Sequence, residues 1–167
     1  TTYTGKADIG GDWALYNTKG EAVTHASLAG KYYLIYFGFT YCPDVCPVSL
    51  MKVVKALVKV KASKEYAYFD ITPIFVSVDP NRDSNARIDE YCKIFHPDLV
   101  GLTHKTNDSP ELKSMLKKFK IRDRLFFPYS KIVHTTILRI APPWWYVNLA
   151  FPRDPARVKT VVKIFPK

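Results

Sequence analysis

KYYLIYFGFTYCPDVCP, residues 31–47, joins a near-continuous aromatic and aliphatic run to two cysteines four positions apart, each followed by a proline. The apolar part, residues 31–39, is strand-sized, and its lack of polar alternation suits a central strand buried on both faces. Beyond it the period changes. Leu50, Val53, Val54, Leu57 and Val58 recur at helical spacing, with Lys52, Lys55 and Lys59 on the other side, so an amphipathic helix begins near Cys46. The two cysteines therefore stand where a buried strand gives way to a helix.

Outward from that junction the remaining elements follow. Residues 12–16 read as a short strand turned by Thr18-Lys19-Gly20, and PIFVSV, residues 73–78, as a second buried strand ending at Asp79-Pro80. A helix is expected over residues 84–95, stopped by Pro97. Residues 101–104 read as a loop. Another helix is expected over 109–119, with Ser109 as N-cap, Pro110 at the first helical position and Glu111 in the first turn. Residues 132–140 and 146–151 read as paired strands, and Asp154 opens a last helix. Strand, helix, strand, helix, helix, hairpin, helix is an α/β order. A thioredoxin-like fold, with a central mixed sheet, flanking helices and a C-terminal β-hairpin, is its compact solution.

The 167 residues fit a single domain spanning 1–167, with 47% hydrophobic and 24% charged residues, a globular balance and not a disordered one. No apolar run reaches the eighteen or so residues of a membrane span. The net charge of +10 favours an acidic partner or an anionic surface. The basic residues are dispersed, without a Lys/Arg block or an RNA-binding signature, so nucleic acid is not an expected partner.

Three cysteines cannot form a paired disulfide framework, which directs attention to metal or redox chemistry. Strand carboxyl ends favour ligand sites, and helix N-termini stabilise thiolates, so lowered thiol pKa values are expected at Cys42 and Cys46. Positions four apart on a helix hold Cβ atoms about 5–6 Å apart, whereas a disulfide wants about 3.8 Å. A disulfide would need local unwinding, for which Pro43 and Pro47 give scope. One metal ion tolerates sulfurs up to about 4.6 Å apart. Thiolates suit Cu(I), zinc or iron–sulfur clusters, and two cysteines are too few for structural zinc. The plain alternative is a pair of small buried hydrophobes. Cys92, among Tyr91, Ile94 and Phe95, reads as core, as do Met51 and Met115 at helical apolar positions.

The stretch 30–47, GKYYLIYFGFTYCPDVCP, resembles the signature of the Sco family, copper chaperones of cytochrome c oxidase assembly. The resemblance continues through FVSVDPNR (75–82) and EYCKIFHPDLVGLT (90–103), covering most of residues 11–140. It implies a thioredoxin fold and one copper ion, Cu(I) and also Cu(II), held by Cys42, Cys46 and His134. It further implies delivery to subunit II of cytochrome c oxidase, a copper-donor chaperone upstream, and an accessory role of the Cys42–Cys46 pair in reducing that subunit's cysteines. Asp79 matches a family acid near the site, with capping of the following loop as its other reading. A membrane anchor before Thr1 and a place on the mitochondrial inner membrane, facing the intermembrane space, are also implied; a bacterial periplasm is the alternative. Two positions depart from the pattern. Val133 stands where the family has Asp, and Ala141-Pro142-Pro143-Trp144-Trp145 replaces an Asp-Pro-Asp-Gly turn. Trp144 and Trp145 are thereby candidate contacts for a membrane or for respiratory-complex subunits.

His25 in a polar turn, His96 as a helix C-cap and His104 as a surface residue are weaker candidates. The enzymatic alternative is a peroxiredoxin or thiol oxidoreductase. Peroxiredoxins place threonine three residues before the reactive cysteine, where Pro43 precedes Cys46, and a thioredoxin-type pair is separated by two residues, not three. Beyond the accessory thiol–disulfide activity, no enzymatic function is expected. A structural subunit of a respiratory-chain assembly, derived from the same family, is the non-enzymatic alternative.

Overall fold

A computed structural model describes residues 10–29, 31–63, 71–119, 121, 136–140 and 146–147, the last two stretches as backbone. The chain runs β1 (Ala14–Asn17), β2 (Ala22–Thr24), one 3₁₀ turn (Ala26–Leu28), β3 (Tyr32–Gly38), α1 (Val45–Ala62), β4 (Ile71–Ser77), α2 (Asn85–Phe95), β5 (Val100–Thr103), α3 (Pro110–Lys118), β6 (Thr136–Ile140) and β7 (Tyr146–Val147). The strands form one mixed sheet in the order β2-β1-β5-β4-β3-β6-β7. Strands β3, β4 and β5 are parallel, and β1, β2, β6 and β7 pair antiparallel at the two sides. The α/β thioredoxin-like architecture with its C-terminal hairpin is the one the element order implies.

Strand alternation sorts the core onto two faces. Tyr33, Ile35, Phe37, Ile74 and Val76 pack with Leu112, Met115, Leu116 and Phe119 of α3. The alternate residues Tyr36 and Phe75 pack with Cys46 and Leu50 of α1 and Ile88, Tyr91 and Cys92 of α2. All of β3 after Tyr32 is buried, as expected of a central strand covered on both sides. Helix α2 is capped by Ser84, whose Oγ accepts the Arg87 N–H at 3.3 Å. Ser109 precedes α3 without capping it, because its Oγ instead accepts the Thr106 N–H and donates to the Thr106 carbonyl.

Several expectations change in three dimensions. Residues 100–103 are strand β5, not a loop: Gly101 lies so close to α2 that a Cβ there would meet Ile88 Cγ2 at 2.4 Å. Glycine inside this strand serves a close backbone approach to the helix. Strand β2 also went unread, being three residues long and unburied. On α1 the buried stripe is Cys46, Leu50, Val53 and Leu57, while Val58 and Met51 are about half exposed. The sheet covers only a narrow arc of the helix, and these two residues fall outside it. Met115 is buried, as expected. The helix expected from Asp154, residues 148–151 and the 141–145 segment with Trp144 and Trp145 lie outside the described residues.

Candidate metal centre

Strand β3 ends at Gly38 and α1 starts at Val45, and every residue of the loop from Phe39 to Cys42 is fastened. The guanidinium of Arg82 lies 5.4 Å from the centre of the Phe39 ring, and that of Arg87 lies 5.3 Å from the Tyr41 ring. Thr40 donates its N–H (2.9 Å) and its hydroxyl (2.7 Å) to the Asp83 carboxylate, which also receives the Ser77 hydroxyl at 2.6 Å. The Cys42 N–H donates to the Phe39 carbonyl at 3.3 Å. Asp83 is 1% exposed, so a buried acid 43 residues along the chain anchors the loop that presents Cys42. The sequence reading missed it; an acid four residues after Asp79, just ahead of a helix N-cap, was the available signal.

Cys42 is half-buried and Cys46 is fully buried, and no disulfide joins them. Asp44 precedes α1 without a side-chain cap. The Cys42 sulfur acts in its place, accepting the Cys46 N–H at 3.4 Å. The two thiols are in hydrogen-bonding contact, and Cys46 Sγ also accepts from the Phe39 N–H and the Tyr36 hydroxyl. A Cβ on Gly38 would come within 2.9 Å of Cys46 Sγ, so this position must be glycine for the sulfur to reach its place. Sequence spacing alone could not show that the sulfurs meet.

The expected lowering of thiol pKa is reversed at Cys46. Burial pushes it up to about 12, outweighing the stabilising donors Phe39 N–H and Tyr36 O–H. Burial, then Asp89, pushes Cys92 up to about 12 as well. Cys92 is buried in the same core cluster as Cys46, a core residue as the sequence suggested. One consequence is measurable: in the reduced, metal-free protein near neutral pH, iodoacetamide should modify Cys42 well ahead of Cys46 and Cys92, because only Cys42 is within reach. Mass spectrometry showing Cys46 labelled as fast as Cys42 would contradict that ordering.

Asp79 is buried, accepts from the Arg82 guanidinium and, at 2.9 Å, from the Asn107 side chain, and its carbonyl receives the Arg82 and Asp83 N–H groups. Of its two readings, loop capping is the one these bonds display. His25 pairs with Asp12 at 3.2 Å, and His96 follows α2 as its C-cap, accepting the Asp98 N–H. His104 is not a surface residue: 11% exposed, it pairs with Glu111 at 3.3 Å and packs edge-on against Tyr16, because β5 carries it to the sheet.

His134 lies outside the described residues, two positions before β6. The first β6 residue, Thr136, pairs with Tyr36 near the end of β3 that leads to the cysteines. Among the described residues no set of three His, Cys, Asp or Glu side chains could hold a metal. The two sulfurs present fit a soft cation: they are adjacent, one faces outward, and backbone N–H groups meet both. No helix among the described residues is long and apolar enough to cross a membrane.

The SCO1/SenC family model matches residues 1–138. The mitochondrial SCO1 homolog 1 of Arabidopsis thaliana is 44% identical over 117 residues, 70% of this chain and 33% of the relative. The chain spans between a third and about half of the length of such curated relatives. Among solved structures, copper-bound Arabidopsis thaliana ScoI superimposes with a TM-score of 0.67 at 36% identity, covering 78% of this chain and 80% of that one. Copper-bound yeast Sco1 does so with a TM-score of 0.62 at 39% identity, covering 70% of each.

Proposed function

Since the chain belongs to the SCO1/SenC family, we propose that it is a copper carrier that loads subunit II of cytochrome c oxidase from the mitochondrial inner membrane, its domain facing the intermembrane space. Cys42 and Cys46 supply two thiolates and His134 the third ligand, a set suited to Cu(I) that also accommodates Cu(II). The observation that carries this reading is the contact between the two sulfurs, one half-buried and one fully buried. Copper-bound relatives of the same fold support the identity of the cargo.

The unequal burial gives transfer an order. Cys42 is where an incoming thiolate of the acceptor can replace a ligand, while Cys46 keeps hold from the protected side. Arg87, pinned over Tyr41, places positive charge beside the opening, which favours encounter with an acidic acceptor surface. The same contact supports the accessory thiol–disulfide role. Exchange with a partner disulfide would join Cys42 to Cys46 and leave the partner with two thiols, two electrons and two protons having moved across.

The reading is tested by loading the reduced protein anaerobically with Cu(I) and mixing it with the soluble copper-binding domain of subunit II. Copper should move to the acceptor domain on separation. Retention of all copper by the donor, with an acceptor that takes copper from a small-molecule complex, would refute delivery.

A further inference from the structure

Tyr36 belongs to none of the roles assigned so far, yet it faces the centre from below. It is 1% exposed and shares a core cluster with Cys46, Leu50 and Phe75. Its ring is stacked with Phe75 at 6.3 Å between centroids. A Cβ on Gly38 would meet Tyr36 Cε1 and Cys46 Sγ, each at 2.9 Å. Glycine 38 thus leaves open the narrow space in which ring and sulfur come together. The Tyr36 hydroxyl donates to Cys46, and the Ser49 hydroxyl, one turn further along α1, donates in turn to the Tyr36 oxygen. Ser49 is half-buried. A line of hydroxyls therefore runs from the flank of α1 through Tyr36 to the buried sulfur.

We propose that Tyr36, backed by Ser49, is a positioning residue that sets the electron-donating strength of the Cys46 thiolate toward bound copper. The inference rests on Cys42 and Cys46 being copper ligands. A hydrogen bond to a metal-bound thiolate draws charge from the sulfur and weakens its donation, and such bonds are a recognised control on copper–thiolate potentials. The Tyr36 hydroxyl is placed to give such a bond to the Cys46 sulfur, in the space that Gly38 leaves open. Ser49 polarises that O–H by bonding to its oxygen. No hydroxyl donor reaches Cys42 among the contacts described; it accepts the Cys46 N–H and meets the Cys46 thiol. The two thiolates are thereby unequal. Cys46 is the weaker electron donor, and reduced copper is favoured over oxidised copper.

Tyr36→Phe removes the hydroxyl and keeps the ring that packs against Phe75. Loaded with Cu(II), it should still bind one equivalent, but its thiolate-to-copper absorption band should move to longer wavelength. Losing a hydrogen bond to a charged group, about 1.5–3 kcal/mol, corresponds to roughly tenfold or more in an equilibrium constant. The Cu(II)/Cu(I) midpoint should fall accordingly, by about 59 mV per tenfold for one electron. Ser49→Ala, on the half-buried side of α1, should shift band and midpoint the same way by a smaller amount, and it serves where Tyr36→Phe folds poorly. If the wild type shows the band and both variants reproduce its position and midpoint, the inference is overturned while the copper reading stands. If the wild type itself shows no thiolate-to-copper band, the copper reading fails and takes the inference with it.

Discussion

Cys46→Ala is expected to abolish tight copper binding, and Cys42→Ala to do the same, with each variant carrying only background copper after anaerobic loading and desalting. Removing one of two adjacent thiolates leaves a single sulfur, and the described residues offer no acidic, histidine or thiol side chain to complete a set of three. His134→Ala should weaken binding strongly without abolishing it, since both soft donors remain. Binding should also depend steeply on pH. The Cys46 proton is held up to about 12 in the metal-free protein, and coordination must displace it. That one proton makes the apparent Cu(I) affinity rise about tenfold per pH unit throughout the range below its pKa. Competition with a chromophoric Cu(I) chelator at several pH values measures the slope. Wild-type copper content in Cys46→Ala would refute the centre.

Asp83→Ala should be the most destabilising substitution near the centre that touches no ligand. Its buried carboxylate receives the Thr40 N–H, the Thr40 hydroxyl and the Ser77 hydroxyl at 2.6–2.9 Å. Alanine leaves those donors without the acceptor, and hydrogen bonds to a charged group are worth about 1.5–3 kcal/mol each. The losses overlap, so a net loss of about 3–5 kcal/mol is expected, in line with breaking a buried charged contact. Urea unfolding of the metal-free protein gives the number. Asp83→Asn keeps an acceptor oxygen, should lose less, and remains usable where alanine fails to fold. In that variant a loosened Thr40 should also weaken Cu(I) retention, because the loop from Phe39 to Cys42 loses one of its fastenings. A stability loss below about 1 kcal/mol for Asp83→Ala would show that water or a neighbour readily replaces the carboxylate.

Much of this molecule was legible from neighbouring residues. The apolar run 31–39 announced a strand covered on both faces, and the change of period after Cys46 announced α1. Ser84 announced a helix start, and Pro110 and Glu111 another. The cysteine pair at a strand-to-helix junction announced soft-metal or redox chemistry. These signals are local because backbone geometry repeats every two or 3.6 residues, and side-chain type at that period records which face is buried. The ligand candidates Cys42, Cys46 and His134 followed from residue type and family resemblance, of which the structure describes the two cysteines.

What the tertiary structure decided concerns groups far apart in the chain or the depth of water around them. A helix N-terminus argues for a lowered thiol pKa at Cys46; burial under Tyr36, Phe75 and Leu50 reverses it, since removing water from a charge outweighs a few favourable dipoles. Asp83 reaches Thr40 across 43 positions, and Gly101 meets Ile88 across a strand–helix contact. Met51 and Val58 have the composition of core residues but lie on the open side of α1, because the width of the covered arc is set by the sheet beneath it. The sequence, read with the family resemblance, named the candidate copper ligands and placed the two cysteines at a strand-to-helix junction. Only packing determined that the two sulfurs touch, that one is shielded and one accessible, and that Tyr36 lies against the shielded one, because those facts depend on elements that meet only when the sheet is assembled.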